Sequence, residues 1–233
     1  MGNSSLVCYT AISPHKKMRN HKIDTISIHC MACNGSVEVC GRSFQGTNVA
    51  SSNYGIGSDG RIALYVPEEF RSMCTSSSKN DNRAITIEVA NLTSSEPFPI
   101  SEKAYNSLIS LLVDICKRNG IEKLLWKADK NLIGEVEKQN MTVHRWFAAK
   151  SCPGEYLYNK HYQIAEDVNE RLEKEMNVRY QNIYDVPEPL REETKELIES
   201  GALKGNEKGL DVTEDMLRCM IINKRYTDNL IKK

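Results

Sequence analysis

In AITIEVAN, residues 84–91, Ile85, Ile87 and Val89 alternate with Thr86 and Glu88, the two-residue period of a strand whose faces differ. An Ile-rich run over residues 22–31, KIDTISIHCM, reads as a buried strand carrying a polar residue, His29, near its C-terminal end. In SSNYGIGSDGRIALYV, Ser58-Asp59-Gly60 makes a turn between two further short strands. The helical period follows. Ser101 suits an N-cap, Leu108, Leu111, Leu112 and Ile115 share one face, and Asn119-Gly120 stops the helix. A second helix is expected over residues 160–174, with Ile164, Val168 and Leu172 in line. Residues 34–52 read as loop with room for a short helix, and residues 75–83 as a polar loop. Strands interleaved with helices predict a mixed α/β domain.

That domain is expected to span residues 1–177, followed by a linker over 178–189 and a small helical appendage over 190–233. Val186-Pro187-Glu188-Pro189 marks the linker, because proline cannot continue a helix. Beyond it, Glu192 to Ser200 reads as a helix closed by Gly201, and Asp211 to Glu214 has capping-box spacing before a second helix. So short a piece buries little surface alone, which points to docking or oligomerisation.

Lys plus Arg and Asp plus Glu both number 31, so no net field draws the chain to nucleic acid or anionic lipid. No apolar run reaches the length of about 20 residues that a transmembrane helix needs. The N-terminus carries no apolar block of signal-peptide length, so synthesis in a cytoplasm is expected. The 8 cysteines are then read as mostly reduced thiols, Cys30 and Cys116 as small buried hydrophobes. Cys30-x-x-Cys33 lacks the second pair that a structural zinc site would need.

The chemistry concentrates in HRWFAAKSCPG, residues 144–154. His144 and Cys152 lie in a segment without helix or strand periodicity, and Pro153-Gly154 fixes the chain just after the sulfur. The plain alternative is two unrelated packing residues. His29 alters that balance, since a histidine ending an apolar strand must find a partner or bind something. Two imidazoles and a thiolate supply three of zinc's four tetrahedral positions and leave one for catalysis.

His29 in TISIHCMA, Tyr54 in SSNYGIGSDGRI, Glu88 in NRAITIEVAN, and His144, Lys150 and Cys152 in TVHRWFAAKSCPG together closely resemble the type-2 N-acetylmuramoyl-L-alanine amidases. This family is related to peptidoglycan recognition proteins and bacteriophage T7 lysozyme, and the resemblance is nearest to clostridial phage and prophage endolysins. It covers roughly residues 20–176. It implies a central mixed β-sheet flanked by helices, with Zn2+ held by His29, His144 and Cys152 in a groove for bacterial peptidoglycan. It also implies catalytic roles for Tyr54 and Lys150, as in the T7-like members, and for Glu88, as in members that recycle wall fragments. Whether Glu88 or Tyr54 handles the proton stays open. Met73-Cys74-Thr75 departs from the family, which often has a His or Trp-His pair there. The expected activity is hydrolysis of the amide between N-acetylmuramic acid and L-alanine, leading to wall lysis. The rival readings are a non-catalytic peptidoglycan-binding module and a stem-peptide peptidase, though the latter's common His-Glu-x-x-His helix is missing. The appendage loosely resembles the wall-binding or oligomerisation modules of endolysins.

Overall fold

The structure, a computed structural model, describes residues 2–176, 178–207 and 209–231. They divide into two compact units, residues 1–172 and 173–233; the expected boundary residue Asn177 lies outside the described residues.

In the first unit, eight strands form two sheets. They are β1 (Tyr9–Thr10), β2 (Lys17–Met18), β3 (Thr25–Cys30), β4 (Tyr54–Ile56), β5 (Ile62–Leu64), β6 (Phe70–Arg71), β7 (Ala84–Val89) and β8 (Met141–Thr142). The main sheet runs β1-β5-β4-β7-β3-β8, and β2 pairs with β6. Only β4 and β5 are antiparallel within the main sheet, which makes it mixed. The helices are α1 (Val37–Ser43), α2 (Ser78–Arg83), α3 (Glu102–Asn119) and α4 (Gly154–Met176).

Register decides what each face of the sheet presents. His29 lies opposite Glu88 and Ser27 opposite Thr86, while Ile26 and Ile28 lie opposite Ile85 and Ile87. Partners across a ladder point the same way, so one face is isoleucine and the other is Ser27, His29, Thr86 and Glu88. The isoleucines join Leu108, Leu111 and Leu112 of α3 and Leu157, Ile164 and Val168 of α4 in one core. Ser101 caps α3 by accepting from Ala104 N, and Gly120 ends it at φ 66°, as the capping pattern requires.

Two expectations for this unit need correction. Residues 75–83 are not all loop, because Ser77 accepts from Asn80 N and starts α2; a single polar turn and a half has no apolar period to betray it. The last long helix begins at Gly154 rather than near residue 160, since Pro153 precedes the helix instead of interrupting it.

His161 of α4 is fully buried. Its Nδ1 lies 2.6 Å from the Leu157 carbonyl, its ring centroid is 4.5 Å from that of Trp126, and its Nε2 has no partner among the described residues. Burial pushes its pKa from 6.5 down to about 4, against the Leu157 carbonyl and with help from the Arg145 charge. The unfolded chain therefore takes up a proton between pH 6.5 and about 4 that the folded chain refuses. Stability from this residue is level above that window and falls as pH drops through it, by up to about 3 kcal/mol. His161→Met is expected to flatten the fall in Tm over that range; an unchanged pH profile would rule out the buried imidazole as its source.

The second unit holds α5 (Glu188–Glu199) and α6 (Glu214–Ile231). Val186, Leu190, Leu197, Leu203, Val212, Leu217 and Ile221 form its own core, with Tyr180 and Ile183 packed against it. The stretch expected to be linker thus belongs partly to this core, and Val186 is fully buried. The reason is positional: Pro187 is the N-cap of α5 and Pro189 sits in its first turn, where a missing N–H costs nothing. No helix among the described residues is long and apolar enough to cross a membrane.

Candidate metal and catalytic site

His29 ends a central parallel strand, while His144 and Cys152 bracket the loop that leads into α4. The short 3-10 turn His144–Trp146 follows β8 directly, and Arg145 ties the loop shut. Its backbone N donates to the Cys152 carbonyl at 3.1 Å, and its guanidinium donates to the Ser151 carbonyl and to Glu155, both at 2.6 Å. The result brings together residues 123 positions apart: Cys152 Sγ lies 3.2 Å from His29 Nδ1. One donor atom from each of His29, His144 and Cys152 lies within 4.8 Å of the others.

The donor set fits zinc. Bonds of about 2.0–2.3 Å from imidazole and thiolate give a tetrahedron with edges of roughly 3.3–3.7 Å, close to the His29–Cys152 separation. A relay beyond His29 orients it. Ser27 Oγ donates to the Thr142 carbonyl at 3.2 Å and lies 3.2 Å from His29 Nε2, so Nε2–H donates to Ser27 and Nδ1 keeps its lone pair toward Cys152. His144 Nε2 lies 3.0 Å from Ser76 Oγ, and Ser76 holds a left-handed φ of 64° that non-glycine residues seldom adopt. Hydrogen bonding with the Cys30 thiol and burial raise the Cys152 thiol above the usual cysteine range. Burial, then the Lys150 charge, lowers the His144 pKa.

Glu88 stands beside His29 across the β3–β7 ladder. The residue as a whole is half-buried, yet its Oε2 is enclosed without a hydrogen-bond partner among the described residues. Burial pushes its pKa up to about 8, with the neighbouring Cys30 adding and the Cys74 S–H opposing. Lys150 is exposed two positions before Cys152, close enough for its charge to act on His144.

Tyr54 is not with them. Gly55 is the β4 residue opposite Glu88, and Tyr54 pairs with Ile87. The one-residue offset turns its side chain to the isoleucine face. There it is fully buried in the core, donating to Glu68 at 2.6 Å and accepting from Ser4 N at 3.0 Å. Arg118 closes this cluster with two bonds to Glu68, at 2.7 and 2.9 Å. The catalytic role expected for Tyr54 is therefore withdrawn in favour of a structural one. Tyr54→Phe is expected to leave kcat unchanged and to cost about 1.5–3 kcal/mol in denaturant unfolding, the worth of a buried bond to a charged acceptor. A fall in kcat at unchanged stability would restore the catalytic assignment.

Reading the sequence also missed Cys74, whose Sγ lies 3.7 Å from Glu88 Oε1. Asp81 of α2 holds that loop, accepting from Cys74 N at 3.3 Å, Thr75 N at 3.1 Å and Thr75 Oγ1 at 2.7 Å. No local pattern announces this contact. Ser27 was visible in principle, two positions before His29 on the same strand face.

The family model described as N-acetylmuramoyl-L-alanine amidase matches residues 19–155, more than half of the chain. Among solved structures, a single-residue mutant of PlyL is similar with a TM-score of 0.51 at 13% identity, over 69% of this chain and 96% of its own. A selenomethionine derivative of AmpD gives 0.51 at 17% identity, over 70% and 96%. The N-acetylmuramoyl-L-alanine amidase LysC from Clostridium intestinale gives 0.45 at 18%, over 67% and 93%. At such identities the first two speak for the shared fold alone, and the third carries no argument. No curated protein sequence matches the chain significantly.

Proposed function

Because the chain belongs to the N-acetylmuramoyl-L-alanine amidase family, we propose that it cleaves the amide between N-acetylmuramic acid and L-alanine in bacterial peptidoglycan with zinc held by His29, His144 and Cys152. The observation that carries this reading is the convergence of those three donors within 4.8 Å, with an enclosed carboxyl on the adjoining strand. Zinc, when bound, supplies Lewis-acid polarisation of the scissile carbonyl and acidification of water.

The chain's own groups do the rest. Glu88, enclosed opposite His29 on the neighbouring strand, is placed to take a proton from the attacking water when ionised and return it to the departing amine, which cannot leave as an anion. Lys150, whose charge reaches His144, supplies positive charge for the developing oxyanion. Ser27 and Ser76 hold the two imidazoles in orientation. A peptidoglycan-binding module without catalysis would need neither the full donor set nor an enclosed carboxyl beside it, so hydrolysis is the better reading.

The physiological result is wall lysis of the endolysin kind. The C-terminal unit is assigned to wall attachment or self-association, supported by its separate core and by Ile222, Tyr226 and Leu230 exposed along α6.

The test is product analysis. Digestion of purified peptidoglycan is expected to release peptides with a free L-alanine N-terminus. Chelation should stop the reaction and stoichiometric zinc should restore it. Cuts inside the stem peptide with the muramoyl amide intact, or activity indifferent to chelation, would overturn the reading.

A further inference from the structure

Cys74 has no part in the mechanism above, yet it completes a second donor set. One donor atom from each of His29, Cys74 and Glu88 lies within 4.8 Å of the others, and the Cys74–Glu88 contact of 3.7 Å matches the edge of about 3.3–3.8 Å expected for two donors sharing one zinc-sized ion. One observation points at a ligand: Glu88 Oε2 is enclosed with no partner among the described residues, beside a buried thiol whose backbone is held by Asp81. An acceptor oxygen left without a donor in such a place costs free energy unless something fills its coordination.

We propose that His29, Cys74 and Glu88 form an alternative position for a thiophilic divalent cation, overlapping the His29–His144–Cys152 set through the shared imidazole. Thiolate, imidazole and carboxylate together suit zinc or cadmium and disfavour magnesium or calcium. Coordination exchanges the Cys74 S–H for a metal–sulfur bond and releases that proton to solvent, with no change of oxidation state. The position is inhibitory by construction: an ion there draws on the imidazole of the first set and occupies the carboxyl assigned to proton transfer. In this respect Cys74 differs from a buried thiol such as Cys116, which belongs to the hydrophobic core cluster.

Cadmium is the probe, because thiolate-to-cadmium charge transfer is seen directly in the near ultraviolet. In the Cys152→Ser chain, one equivalent of Cd2+ is expected to give this band, and Cys152→Ser/Cys74→Ser is expected to lose it. Glu88→Gln in the Cys152→Ser background should weaken cadmium binding by about tenfold or more. Far-UV circular dichroism on each protein reports folding. His144→Ala gives a second background that keeps every thiol, and there too Cys74→Ser must lower cadmium affinity. No band in Cys152→Ser, or a band undiminished when Cys74 is also replaced, would overturn the proposal. Both readouts are of metal binding and not of hydrolysis, so failure here leaves the amidase reading standing.

Discussion

Glu88→Gln is expected to lower kcat about 10²- to 10⁴-fold, the range that a positioned proton-transfer group contributes, while zinc content stays at the wild-type level. Glu88 is opposite His29 on the neighbouring strand, so its carboxyl is fixed beside the proposed metal by the sheet and not by a loop. Glutamine keeps the shape and the hydrogen-bonding capacity but cannot accept the water's proton. With its pKa raised to about 8, the enclosed carboxyl is already largely neutral near pH 7, so the amide exchanges one uncharged group for another and the variant should unfold no more easily than the wild type. Single-turnover hydrolysis of a soluble muropeptide, with metal analysis on the same samples, decides the matter. A kcat within a factor of two of wild type would take the proton away from Glu88, and a parallel loss of zinc would make it a ligand instead.

Cys152→Ser is expected to lose zinc and activity together, with an affinity loss of at least about 100-fold, the upper end of what removing an outer partner alone costs. Serine is close to cysteine in size, but its hydroxyl does not ionise near neutrality, so the set loses its one anionic donor. The loop should survive the change, because its closure uses the Cys152 carbonyl, the Ser151 carbonyl and Glu155, none of which the substitution touches. Dialysis against a weak chelator followed by elemental analysis reads the first effect, and release of L-alanine-terminated peptides reads the second. Full activity in a zinc-free Cys152→Ser protein would refute the ligand assignment.

Strands β3 and β7 and the first long helix were legible from their side-chain patterns and β4 and β5 from the turn between them, whereas the two-residue β1, β2, β6 and β8 are too short to show a period. Ile85, Ile87 and Val89 announce β7, and Leu108 to Ile115 announce α3. The six-residue α2 is polar throughout, and its reasons for existing, Ser77 as cap and Asp81 as anchor of a loop, are visible only in space. Spacing alone could nominate His144 and Cys152, but their meeting with His29 across 123 residues is a property of the parallel ladder. Family resemblance anticipated it where local pattern could not. That same resemblance placed Tyr54 one residue out of phase with Gly55, the position that faces Glu88. Cys74 was silent for a different reason: a cysteine within a loop looks alike whether it packs or binds.

The two-faced ladder of β3 and β7 makes the enzyme brittle in one dimension and forgiving in another. An extra residue anywhere between Thr25 and His29 would rotate the imidazole into the oily side of the sheet and offer isoleucine to the substrate, abolishing chemistry in a protein that still collapses. By contrast the exposed run from Gln45 to Ala50 sets no side chain's phase, and that is where natural or engineered length variation should accumulate.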